Sequence, residues 1–580
     1  MKQFKKMLKP SNSSKVMLLL LVLLVAHSSC KKMIEVSPEN TLAAGNMYRN
    51  VFDADAAVIG IYGKLQSLAG QYVILNELRG DLLDVTTNAT PYLKQISTHQ
   101  VTADNPYADP RPFYEVIFYC NDALKNFDTM LKDKKFTTAE YNARYADVGA
   151  IRSWLYLQLG IHFGEVPYVT YPFENVNELK DASKYPRLNF KQLLQQLIAF
   201  TEALPSLEPY PAASSLVTTV DGTVTAKFFI DKRILLADLY LWNNDYLKAA
   251  TSYKAVMERY TTSADGVEQF DFYKVRYADA AANNDLAVGY IRYQEQNLGS
   301  LINSNTQGWK SMFARGQDVL WNSEWIWVLP FNKNFAPVNP FIDLFAINGG
   351  KYQVKPSNSA IENWNIQAQQ NGFSFDARGL FTYSTVNGQP VVNKYTYNYN
   401  FLLPLEKSGN WFLYRAALLH LRYAEAANRD HHGKVAWALV NYGIASAYDD
   451  VANTDKTNLQ QSNEPAPYDF DARNGTAPYF RGPWHRNAGI RGRAYLTPLS
   501  TELQNDPLAL EDAIVNEAGL ELAYEGNRWP DLLRVALRRD DPSFLADKVG
   551  DKLLKDGNPD AAAVRTRLLN KANWYLPFTW

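Results

Sequence analysis

The sequence predicts a mainly α protein: a tetratricopeptide-like scaffold of helical hairpins with a large loop-rich insertion carrying short β-strands. Three observations lead there. Apolar residues recur at helical spacing through long stretches at both ends of the 580-residue chain. Two of those stretches, 225–260 and 411–443, read as paired helices that offer small residues to one another, as hairpin repeats do. Between them, residues 261–410 are rich in Gly, Asn, Tyr, Trp and Pro, and helical periodicity fades.

Taken in order, the chain opens with Lys2, Lys5, Lys6, Lys9 and Lys15 ahead of the apolar run 16–26. A basic region before a short apolar run is a secretory signal, too short to be a comfortable membrane span. It ends on Ser28-Ser29-Cys30, which resembles a bacterial lipobox. The expectation is a signal peptide over 1–29, acylation of Cys30, and a tether over 30–40. Several acyl chains together make stable anchoring, where one binds only marginally. Residues 41–580 then form a single body, with scaffold at about 41–260 and 411–580 and the irregular region at about 261–410.

The first helix is expected over 52–68, where Ala56, Ile59, Gly60 and Leu65 keep a stripe. Loops over 69–109 follow, then a helix over 111–131 carrying Phe113, Tyr114, Ile117, Phe118 and Leu124. Cys120 lies in that apolar run, where a free thiol behaves as a small buried hydrophobe. A long helix follows within 145–169, ended by Gly164 and Pro167, and another over 188–204. The first hairpin joins 225–242 to 245–260 through Asn243-Asn244; the second joins its halves through 430–433. Trp325 and Trp327 alternate with Ile326 and Val328 in a short strand over 323–331 and lean towards the core. Residues 444–489 read as an irregular insertion. In 515–534, Val515, Ala518, Leu522 and Ala523 recur at helical spacing and Gly526 reads as a C-cap. Arg528-Trp529 opens a second helix, with Pro530 in its first turn and Asp531 favouring its dipole.

Basic and acidic side chains nearly cancel, with a formal net charge of −1, which gives no support for nucleic acid as a partner. Two cysteines exclude a disulfide framework. No motif for a nucleotide phosphate, a zinc ion or a serine nucleophile is present, and no cofactor or metal is expected. His431-His432 reads as a solvated hairpin tip. Glu517, Glu521 and Glu525, on one helical stripe beside Arg528 and Arg534, read as salt-bridged scaffold rather than a catalytic pair. The aromatics are the candidates for binding. With 36 Tyr, 28 Phe and 13 Trp, some are expected at the surface, where a ring face suits the C–H face of a sugar. Trp309, Trp321 and Trp364 fall in the irregular region and form one candidate platform. Tyr72, Tyr92 and Tyr107, with Arg79, Asp81 and Asn88, form a second candidate rim.

Four stretches resemble, in order, landmarks of the SusD/RagB-like outer-membrane nutrient-binding lipoproteins of Bacteroidetes. The opening helix is the first. Arg152, Tyr156, Leu159, Phe163, Gly164, Val166 and Pro167 fit the second, with Ser153 at a usual alanine. Arg415, Ala417, Tyr423, Ala424, Glu425 and Ala426 fit the third. Glu517, Glu521, Leu522, Ala523, Glu525, Gly526, Arg528, Trp529, Asp531, Leu532 and Arg534 fit the C-terminal signature, with Tyr524 at its Phe position. The resemblance implies a lipid-anchored, surface-exposed protein of the outer membrane. It implies no enzyme activity, but capture of glycans or oligopeptides and their delivery to a TonB-dependent, SusC-like transporter. A surface glycoside hydrolase and a tetratricopeptide-type protein-binding adaptor are the alternatives.

Overall fold

The computed structural model describes residues 47–580 apart from 174–175, 182, 221, 260, 263–267, 270–300, 302, 307, 316–323, 450–459, 474–481, 485–487 and 580. The expected signal peptide, Cys30, the tether and Trp321 lie outside the described residues.

The scaffold is helical, as expected. Helix α1 (Val51–Gln66) starts where the Asn50 side chain accepts from the N–H groups of Phe52 and Asp53. Helix α2 (Arg111–Lys132) packs on α3 (Thr138–Phe163), which opens with a capping box between Thr137 and Glu140. Gly164 ends α3 at φ +72, and a Cβ there would lie 2.8 Å from the Tyr575 ring. Cys120 on α2 is fully buried, and burial pushes its thiol up. Helix α4 (Phe190–Glu202) lies against α3.

Helices α5 (Lys232–Trp242) and α6 (Tyr246–Met257) form the first hairpin, turning at Asn244 with φ +65. Helices α7 (Ala416–Arg429) and α8 (Gly433–Val440) form the second, and α7 packs on both α6 and α9 (Pro507–Glu521). Stacked hairpins bury a continuous core that no single pair could close. Helices α10 (Arg528–Arg539), α11 (Pro542–Lys555) and α12 (Ala561–Leu568) complete the scaffold. The chain's end returns to it: Trp574 is fully buried, and the Leu576 N–H donates to the His162 carbonyl at 2.8 Å.

The insertion is held on by two short antiparallel pairs. Strand β1 (Leu83–Val85) pairs with β3 (Val354–Pro356). Strand β2 (Trp325–Phe331) pairs with β4 (Gly409–Arg415), Trp411 opposite Leu329 and Phe412 opposite Val328, with register shifts between Phe412 and Arg415. Three expectations need correction. Residues 69–109 are not loop throughout: Ala69–Val73 and Pro91–Ser97 are helical and Ile74–Leu78 is a buried π-turn, since this segment packs into the core. Residues 411–415 are not helical: Trp411, Phe412, Leu413, Tyr414 and Arg415 are all buried, and a run buried on both faces looks alike as helix or strand. And α9 stops at Glu521, so Gly526 is no C-cap; it lies in a separate corner, 522–527, before α10.

Candidate functional site

The C-terminal signature folds into a corner around a residue absent from the sequence reading. Tyr524 at φ +73 and Gly526 at φ +90 turn successive N–H groups inward. Those of Tyr524, Gly526, Asn527 and Arg528 donate to the Glu77 carboxylate at 3.1, 2.7, 2.8 and 3.3 Å. Backbone N–H groups in such a nest bind an anion, and here the anion is a side chain of the same protein. Glu77 sits on a one-turn π-helix, Ile74–Leu78, and is fully buried. Burial pushes it up to about 7 against the pull of the four donors. Gly526 is required twice: by its φ, and because a Cβ would stand 2.2 Å from the Tyr72 ring.

Behind the corner lies a block of buried charge. Arg415 donates to Glu525 Oε2, Glu324 Oε1 and Glu521 Oε1, each at 2.7 Å. Arg493 donates to Glu324 Oε2 at 2.8 Å and Glu521 Oε1 at 2.6 Å. Arg378 grips Asp376 and donates to Glu521 Oε2 at 2.9 Å. Lys394 Nζ donates to Glu525 Oε1 at 2.6 Å, and Arg491 to Glu517 Oε2 at 2.8 Å. Among the described residues of this block, five carboxylates face five cations, all of them buried. Burial alone would raise Glu521, but Arg493, Arg415 and Arg378 hold it well below the usual carboxylate range. Glu525 is lowered likewise, by Arg415 and Lys394 against its burial.

A second block joins α7 to α10: Glu425 accepts from Arg534 at 2.6 Å and Arg538 at 2.8 Å, and Asp531 from Arg534 at 2.9 Å. Arg528 donates to Asp81 at 2.7 Å, and the Trp529 ring lies 3.9 Å from the Arg79 guanidinium. These carboxylates are engaged on every side by cations and donors. The arrangement fixes geometry and leaves none of them open to a substrate.

The structure corrects most of the aromatic candidates. Trp309 and Trp364 are buried, their indole N–H groups donating to Glu521 Oε1 at 3.0 Å and the Leu520 carbonyl at 3.1 Å. Tyr72 is buried against Trp154 and Trp411, and Arg79 and Asp81 are buried in the corner. None of these five offers a face to a ligand. They are the wall between insertion and scaffold, where large rings and satisfied indole N–H groups pack best. Trp325 and Trp327 are buried as well, donating to the Met312 and Phe228 carbonyls.

What stays at the surface is a loop face. Tyr92 and Tyr107 are half-buried and Asn88 is exposed, with Asn105 tying the Tyr92 carbonyl to the Tyr107 N–H. The Asn88 amide donates to the Lys351 carbonyl at 3.4 Å. Beyond the open end of the β2–β4 ladder, two loops project the apolar side chains Phe335 (71 % exposed), Phe401, Leu402 and Leu405 (88 %). They are cross-tied: the Lys333 N–H donates to Ser408 Oγ at 3.1 Å, and Lys333 Nζ meets Glu406 at 2.8 Å. Sequence reasoning passed over these tips, because single Phe and Leu residues carry no periodic signal. Among the described residues, no group of three or more His, Cys, Asp or Glu could hold a metal ion, and no helix is long and apolar enough to cross a membrane.

The fold is thus a helical-hairpin scaffold locked by buried ion pairs, with irregular loops at its surface. Residues 305–577, which include the charged blocks of the corner, match the family model described as the SusD family. That region of the chain is similar to the SusD family, as its C-terminal signature implied. A SusD-like protein, P2, of Formosa agariphila is 26 % identical over 238 residues, which is 40 % of this chain and 43 % of that protein. The match therefore spans less than half of the relative's length. A SusD superfamily protein from Bacteroides vulgatus shares the fold over 91 % of this chain and 96 % of its own, at 14 % identity and a TM-score of 0.56. The surface glycan-binding protein A from Bacteroides uniformis does so over the same shares, at 17 % identity and a TM-score of 0.56.

Proposed function

We propose that this protein is a non-enzymatic nutrient-capture lipoprotein of the outer membrane. Acylation of Cys30 holds it at the cell surface. Its exposed loops bind a glycan, and it closes as a lid over a TonB-dependent, SusC-like transporter, which takes the ligand up. The observation that carries the reading is the SusD-family region over 305–577. The fold shared with a surface glycan-binding protein supports the ligand class. The corner supports the mechanism: its carboxylates are taken up by ion pairs, and Arg415 anchors one end of the β2–β4 ladder whose other end leads into the Phe335 and Phe401 loops. Stiff loops lose less entropy on binding.

The test titrates the mature chain with oligosaccharide and oligopeptide panels and analyses each mixture for cleavage. Saccharide binding with the ligand recovered intact is expected. Cleavage products would overturn the reading in favour of a hydrolase. A Cys30→Ala strain should bind ligand in extracts yet fail to grow on it; normal growth would remove the anchoring claim.

A further inference from the structure

A concave site lies on the scaffold itself, built by the Arg152–Pro167 landmark that the loop face does not use. It is a cleft of about 840 Å³ between α2, α3, α4 and the segment 168–172. That volume is within the range of small-molecule sites. Its floor is rigid. Arg152 Nη1 donates to Asn121 Oδ1 at 2.7 Å and to the Thr170 carbonyl at 3.1 Å, and its guanidinium lies 4.3 Å from the Phe200 ring. The Asn121 amide donates to the Val169 and Tyr171 carbonyls, both at 3.1 Å. Tyr156 Oη accepts from the Val169 N–H at 2.8 Å and donates to its carbonyl at 2.9 Å.

The walls are aromatic and the rim polar. Tyr145, Tyr168 and Phe200 line the cleft half-buried, and Tyr171 is 48 % exposed, its ring stacked on Tyr185 at 6.1 Å and 25°. Lys125, Asp128 and Gln196 stand exposed around them. The chemistry selects among ligands. A peptide docked by strand addition needs open backbone groups, but the Val169 N–H and the carbonyls of Val169, Thr170 and Tyr171 are already engaged by Tyr156, Arg152 and Asn121. Ring faces remain beside an ammonium, an amide and the exposed Asp128 carboxylate, whose Oδ1 accepts from the Tyr141 hydroxyl at 2.7 Å. This is the combination that takes the C–H face and the hydroxyls of a sugar.

We propose that this cleft is a saccharide-binding site separate from the loop face, with Tyr171 as platform and Asp128, Lys125 and Gln196 as hydroxyl partners. It shares only the ligand class with the capture reading. The experiment probes the mature chain on an array of neutral and acidic hexasaccharides, with hexapeptides alongside, and measures the saccharides that bind by calorimetry. Tyr171→Ala and Gln196→Ala should each weaken at least one saccharide tenfold or more with the melting temperature unchanged. A Phe335→Ala/Phe401→Ala variant should keep that binding. Binding lost in the loop variant and unchanged in both cleft variants would overturn the cleft and leave the capture reading standing. Saccharides bound by neither face would overturn both readings, and hexapeptides bound in place of saccharides would overturn the assigned class.

Discussion

The corner and the loop face use similar side chains to opposite ends. In the corner, Trp309, Trp364, Arg415 and Glu521 are buried and mutually satisfied; at the loop face, Phe335, Phe401 and Lys333 stand open on cross-tied loops. The difference lies in neighbours. A buried charge is tolerable only when each of its lone pairs and protons finds a partner, and removing one partner strands the rest. Exposed side chains have water as a partner and are free to change it for a ligand. Rigid geometry in one region is what lets the other stay open without losing shape.

Four variants break or sharpen that contrast. Arg415→Ala has the largest effect, since it takes one buried partner from each of Glu324, Glu521 and Glu525; a loss of about 3–5 kcal/mol is expected in urea unfolding. A loss below about 1 kcal/mol would mean that the block is not load-sharing. Gly526→Ala comes next, at about 3 kcal/mol, because the new methyl meets Tyr72 in a backbone conformation that disfavours it; calorimetric melting measures it.

His99→Gln is smaller and pH-dependent. Burial lowers the His99 imidazole to about 3 from an ordinary 6.5. A depressed folded value means stability that is present above 6.5 and lost as pH falls towards 3, because the unfolded chain takes the proton first. Between pH 6.5 and 5 the wild type should therefore lose about 1.5 kcal/mol more than His99→Gln. Parallel curves would show that His99 is not the group responsible. Smallest is Phe335→Ala/Phe401→Ala, within about 0.5 kcal/mol in stability because both rings are exposed. The same variant should still impair capture of the nutrient, as read by growth on it.

Much of the scaffold was legible because 3.6-residue periodicity survives in α1–α6, and Gly164 announces the end of α3, although its start at Thr138 lies before the 145 expected. Strand β4 was not, since Trp411–Arg415 is buried on both sides and carries no alternation. The aromatic candidates misled for a related reason: a tryptophan outside a helical stripe can line a wall as well as a surface, and only the partner of its indole N–H tells which. The cleft tyrosines Tyr168 and Tyr171 begin one residue beyond Pro167, where the helix pattern had already ended. Glu77 gave the least signal of all. An acid in the apolar run YVILNEL explains itself only once its donors are seen.

Those donors lie 447–451 positions later in the chain. Glu77 is thus without these donors for most of the chain's synthesis, and pairing so distant is slow to form. The corner consequently closes only when residues 524–528 are present. A chain cut short before Tyr524 lacks all four donors and leaves the Glu77 carboxylate hydrated where the core should close.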